Sequence, residues 1–168
     1  SIAAAADDRT VELDGRTLMP GMVQGHFPTC FSDWNGPAPP LGLERPAPLM
    51  ALMAQKNAET ALAHGFTSLV CSSSAYYIDV ALRDAQILGV FQGPRMLPCS
   101  HEFIVPGGEA DAENQNYYMG LTNHGMVLHA SGVEEVRKLA RTEIGRGAQI
   151  IKIAASGGHA FGHAYDTH

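Results

Sequence analysis

The sequence is poor in lysine: Lys56, Lys138 and Lys152 are the three in 168 residues. Eleven basic residues stand against seventeen acidic ones, for a net charge of −6. A chain so short of cations lacks the basic surface that sequence-independent nucleic-acid binding requires. It also lacks an apolar run of about eighteen residues, so neither a membrane span nor a membrane partner is expected. Ser1-Ile2-Ala3-Ala4-Ala5-Ala6 has no basic stretch ahead of it and runs into Asp7-Asp8, which is unlike a secretory signal. Cysteine is scarce too. Cys30, Cys71 and Cys99 cannot all pair within one chain, and none lies in a Cys-x-x-Cys motif. Buried thiols in a reducing, cytoplasmic setting are expected. Missing as well are Gly-x-Gly-x-x-Gly, the P-loop and His-Glu-x-x-His. Ser72-Ser73-Ser74 lacks the context of a nucleophile elbow.

Apolar residues make up 45% of the chain and charged ones 17%, which suits a globular fold with a real core. Thr10 to Gly15 alternates polar and apolar and predicts a short half-buried strand ending in an Asp14-Gly15 turn. Met22 to Phe27 predicts a fully buried strand, closed by Pro28. Residues 32–48 hold five prolines and predict a long loop. Leu49 to His64 predicts an amphipathic helix stopped by Gly65. Phe66 to Cys71 predicts a buried strand, and the serines after it are suited to capping a helix. That helix is expected over Ile78 to Leu88, with Val80, Leu82 and Ile87 inward. Pro94 to Pro98 leads into a third short strand, and residues 101–130 read as irregular. Ser131 and Glu134 form a capping-box pattern for a helix running to about Arg146. Gln149 to Ala155 then predicts a buried strand. This βα alternation points to an α/β fold with a parallel sheet. In such folds chemistry gathers at the C-terminal tips of the strands, where His26, Ser72, His101 and Lys152 fall.

Lys152 carries the sharpest signal. An ammonium between isoleucines costs desolvation energy unless it is paired or neutralised. A Schiff base, a base of lowered pKa, or carbamylation to a metal-bridging carboxylate would each suit it. An edge position with the ammonium reaching water would suit it equally. His26, at the end of its strand, is a candidate metal ligand or a hydrogen-bonded core histidine. His159 and His163 lie in a glycine-rich stretch that reads as a site-lining loop or a solvated tail. His101, Glu102 and Glu109 are candidates to present polar groups to a substrate, with solvated turns as the plainer alternative.

Asp14-Gly15, Pro20-Gly21 and His26, followed by Gly65-Phe66-Thr67, Gly93-Pro94-Arg95 and Ile151-Lys152-Ile153-Ala154-Ala155-Ser156-Gly157-Gly158, resemble the metal-dependent amidohydrolase superfamily. The prolidase-like, imidazolonepropionase-related branch is the nearest. The resemblance runs through nearly the whole chain in the right order. It implies the N-terminal part of a (β/α)8 TIM-like barrel over residues 21–168, with residues 1–20 the remnant of a small β-sandwich domain. The rest of the barrel would come from further chain or from a second copy in a homo-oligomer. It also implies one or two divalent metals, usually zinc, held by His26 and a carbamylated Lys152. Metal-activated water would then attack an amide, peptide-like, ester or lactone carbonyl of a small or dipeptide-like substrate. His101, Glu109, His159, His163 and His168 are candidates to touch the substrate or to support the metal ligands. Two departures stand out. The family's His-x-His pair reads His26-Phe27-Pro28, and its "GGHGD" motif reads Gly107-Gly108-Glu109-Ala110-Asp111. These departures leave a catalytically inactive half-barrel, used for binding or assembly, as the alternative.

Overall fold

The computed structural model describes residues 5–31, 43, 45–73, 75–106, 108 and 125–155. Strand β1 (Met22–Phe27) is followed by helix α1 (Ala47–Ala63), β2 (Phe66–Cys71) and α2 (Ile78–Ile87). Then come β3 (Arg95–Leu97), β4 (Cys99–Ile104), β5 (Val127–His129), α3 (Gly132–Gly145) and β6 (Ile150–Ile153). Among the described residues every strand pairing is parallel. The strands form one sheet in the order β1-β2-β3 and another in the order β5-β4-β6. The βα order and parallel pairing match the expectation of a mixed α/β fold. The sheets are open among the described residues, which by themselves do not close a barrel.

Local chemistry sets the elements. Pro46 precedes α1 and Pro48 sits in its first turn, where the missing N–H costs nothing. Met50, Ala54 and Ala58 recur every fourth residue and are buried, so α1 lies close on the first sheet. Gly65, at φ +88°, turns the chain directly into β2. The core lies between this sheet and the first two helices, around Met50, Leu69, Cys71, Ile78, Leu82 and Met96. All three cysteines are buried and none is in a disulfide. Burial pushes the Cys30 and Cys71 thiols up to about 12, so they pack as apolar groups.

A single residue, Pro98, separates β3 from β4. Its carbonyl accepts hydrogen bonds from Gln149 N (2.8 Å) and Ile150 N (3.1 Å). The strand line therefore changes partners there, from β2 before the proline to β6 after it. Asp79, fully buried in α2, secures the start of β4 by accepting from Cys99 N at 2.6 Å.

Several expectations need correction. Thr10 to Gly15 forms no strand and is exposed, with only a turn at Asp14-Gly15. An alternating pattern needs a ladder partner, and no described strand supplies one. β1 is exposed or half-buried rather than fully buried, because β2 flanks it on one side only. Ile87 points outward, 76% exposed, at the end of α2. The residue before α2 is Tyr77, in the left-handed region, and no side chain caps the helix there, so Ser72 and Ser73 do not serve as its cap. The Ser131 side chain makes no cap bond; instead Ser131 N donates to Glu135 Oε2 at 2.7 Å. Residues 101–130, read as irregular, contain most of β4 and all of β5.

Candidate functional site

β1 turns Phe27 toward the core. His26, its neighbour in the strand, faces the other way. There its Nε2 lies 3.1 Å from Lys152 Nζ, although the two residues are 126 positions apart. β1 and β6 belong to different sheets, so this contact joins one sheet to the other. Lys152 is half-buried rather than fully buried, and Ile153 beside it is 57% exposed. β6 is an outer strand of its sheet, which explains the difference.

Both residues lie beside a bulge. Gln24 pairs with Leu69 and Phe27 with Cys71, so β1 carries one extra residue in the stretch holding His26. Cys99 pairs with Ile150 and Glu102 with Lys152, so β4 carries one extra residue opposite Ile151. There Lys152 N donates to Ser100 Oγ at 3.0 Å, and Ser100 Oγ donates to His101 O at 2.5 Å. A side chain thus completes the ladder where the backbone register slips.

Glu102 is buried, in register with Lys152, and accepts a 2.7 Å hydrogen bond from Ser73 Oγ. Ser73 stands at the tip of β2 with φ +51°. Just before it, Ser72 N donates to Phe27 O at 3.1 Å, extending the β1–β2 ladder one step. His26 also lines an open cavity of about 580 Å³ between β1 and α1, with Pro28, Phe31, Asn57 and His64 on its wall.

His101, expected as a substrate contact, does not join this cluster. It is buried on the side of α3, where its backbone N and Nδ1 both donate to Glu143 Oε2, at 3.0 and 2.9 Å. Tyr77 meets its ring edge-on at 4.6 Å and donates to Glu143 Oε1 at 2.7 Å. Arg146 in turn donates to the Tyr77 hydroxyl. Burial alone would raise the Glu143 carboxyl, but the hydrogen bonds from Tyr77 and His101 outweigh it and hold the group below its ordinary value. Successive residues of a strand face opposite ways, so His101 and Glu102 cannot both serve one face. The sequence reading passed over Glu143, because a glutamate inside an amphipathic helix gives no sign of a partner 42 residues earlier. Glu109, His159, His163 and His168 lie outside the described residues.

The implied divalent metal can be tested against these donors. An imidazole nitrogen suits zinc, and a carbamylated lysine would add an oxygen donor beside it. The donor chemistry at His26 and Lys152 fits. Pro28 adds none, and no group of three His, Cys, Asp or Glu side chains gathers to hold an ion among the described residues.

No protein-family model matches the chain. Its structural neighbours include amidohydrolases, prolidases and an ochratoxinase, which is consistent with the resemblance to the amidohydrolase superfamily carried by its motifs. A solved amidohydrolase matches with a TM-score of 0.78 at 27% identity, over 97% of this chain and 40% of its own. A prolidase solved with N-methylphosphonate-L-proline matches at 0.67 and 26% identity, over 99% of this chain and 40% of its own. The ochratoxinase of Aspergillus niger is 43% identical over 58 residues, 33% of this chain and 12% of that enzyme. Its crystal structure matches with a TM-score of 0.70 at 26% identity, over 84% of this chain and 35% of its own. The chain thus spans at most two fifths of these relatives. No described helix is long and apolar enough to cross a membrane.

Proposed function

We propose that the chain carries the first strands of the active site of a metal-dependent hydrolase of amide or peptide-like C–N bonds, with esters and lactones as neighbouring substrates. The observation that carries this reading is the 3.1 Å approach of Lys152 Nζ to His26 Nε2 at the strand tips. The names of the relatives, amidohydrolase, prolidase and ochratoxinase, support the same bond class. His26 would hold an ion through Nε2, and Lys152 through a carbamate on Nζ. One or two ions, zinc in the first instance, would supply Lewis acidity and make a bound water more acidic. The chain's own residues do the positioning. Ser100 fixes the backbone of Lys152, and Ser73 fixes Glu102 beside it. A small, dipeptide-like substrate suits this tip, and a cytoplasmic setting suits the buried thiols.

A second reading has an observation of its own. Pro28 stands where a second histidine would complete the pair, which favours a binding or assembly piece without catalysis. Metal content by mass spectrometry, read beside hydrolysis of Xaa-Pro dipeptides and N-acyl amino acids, separates the two. The hydrolase reading expects bound metal, turnover, and loss of both in Lys152→Ala. A protein that binds no metal, cleaves nothing and forms a stable oligomer would establish the assembly reading instead.

A further inference from the structure

Among the described residues, one buried side-chain oxygen has no hydrogen-bond partner: Ser72 Oγ, in a residue 4% exposed. A buried hydroxyl left unpaired costs stability, and such atoms concentrate where a ligand completes the bonding. Leu69 and Cys71 face the core. With the ladder extended through Ser72 N, strand alternation puts the Ser72 side chain on the opposite face, the one His26 uses. Glu102 adds an independent observation there. It is 5% exposed, and its Oε1 accepts no hydrogen bond from the described residues. Lys152 is its register partner, yet Lys152 Nζ turns to His26 and no ion pair joins it to Glu102. A buried carboxylate with spare acceptor capacity and no ion-pair partner among the described residues is suited to receive a charged donor.

We propose that Ser72 and Glu102 form a polar subsite next to the His26–Lys152 pair, and that it takes the protonated amino group of the substrate. The proposal rests on the hydrolase reading for the scissile carbonyl, which would lie toward His26 and Lys152. In an aminoacyl amide the amino nitrogen and the carbonyl carbon are two bonds apart, so both fit within one inter-strand spacing of about 4.8 Å. Glu102 accepts from the ammonium, Ser72 Oγ accepts a second N–H, and Ser73 keeps the carboxylate aimed. The preferred substrates are then amides with a free amino group on the acyl side.

The test uses the full chain and two inert probes, L-alanine and L-lactate, which differ in carrying an ammonium or a hydroxyl. Titration by calorimetry or NMR should show alanine binding about ten-fold tighter than lactate. Glu102→Gln should remove that preference. Ser72→Ala should weaken alanine binding about five-fold while leaving Tm unchanged or raised, because the hydroxyl it removes was unsatisfied. Should Glu102→Gln fail to fold, Ser73→Ala replaces it and should reduce the preference in part. Equal affinity for the two probes, or a preference that survives in Glu102→Gln, overturns the subsite. Cleavage of Ala-Pro is followed separately. Alanine preference without cleavage of any amide sinks the hydrolase reading alone, and cleavage without the preference sinks the subsite alone.

Discussion

Two neighbouring residues of β4 live in opposite circumstances. His101 points toward α3, where three donated bonds converge on Glu143 and every partner comes from elsewhere in the described chain. Glu102 points toward the strand tips, held by Ser73 and beside a half-buried lysine that bonds to His26. One face of the strand is closed and satisfied; the other is held in position with bonding capacity left over. Burial of a polar residue therefore does not by itself mark function. What distinguishes the faces is whether the buried polar atoms are already paired.

Glu143→Ala leaves His101 and Tyr77 without an acceptor inside the fold and should cost about 3 kcal/mol, read by chemical denaturation. A loss below a few tenths would mean that the closed face is not what holds β4. Next comes the packing over that face. Gly147, at φ +106°, ends the turn after α3, and a Cβ there would come within 2.8 Å of Val80 Cγ1. Gly147→Ala should cost about 1–2 kcal/mol, from backbone strain and contact together.

Acid sharpens the same contrast. Because folding lowers the Glu143 carboxyl below its ordinary 4.5, its contribution is present in full above that pH. It drains away as pH falls through the lower, folded-state value. Wild type should therefore lose Tm more steeply than Glu143→Gln below about pH 4.5, and parallel acid curves would remove the charge from the account. The smallest stability effect is expected on the open side. Lys152→Ala should shift stability by no more than about 0.5 kcal/mol, since the ammonium is half-exposed and its partner is at the surface. A loss comparable to that of Glu143→Ala would make Lys152 a structural group.

Much of the architecture was legible where a pattern is local. α1 and β2 follow from the alanine stripe, from Gly65, and from the apolar run Phe66 to Cys71. His26 and Lys152 were picked out through the family motifs, and the structure brings their side chains within 3.1 Å. β4 was not legible, because Ser100, His101 and Glu102 read as a polar turn. They are tolerable in a buried strand only through partners at positions 73 and 143, which no local window contains. The strand expected over Thr10 to Gly15 failed for the converse reason: its alternation was real, but a ladder needs a neighbour.

Pro98 has a consequence for how the chain assembles. Proline cannot donate to a ladder, yet its carbonyl receives two bonds from the start of β6. On one side of it stand β1, α1, β2, α2 and β3; on the other, β4, β5, α3 and β6. The backbone ladder does not run through this point, so zipping of one sheet does not propagate into the other. The two sheets should then protect their amides as separate cooperative units in native-state hydrogen exchange, joined through side chains such as Asp79 and Tyr77. In that picture the meeting of His26 with Lys152 comes late, when two already formed halves dock.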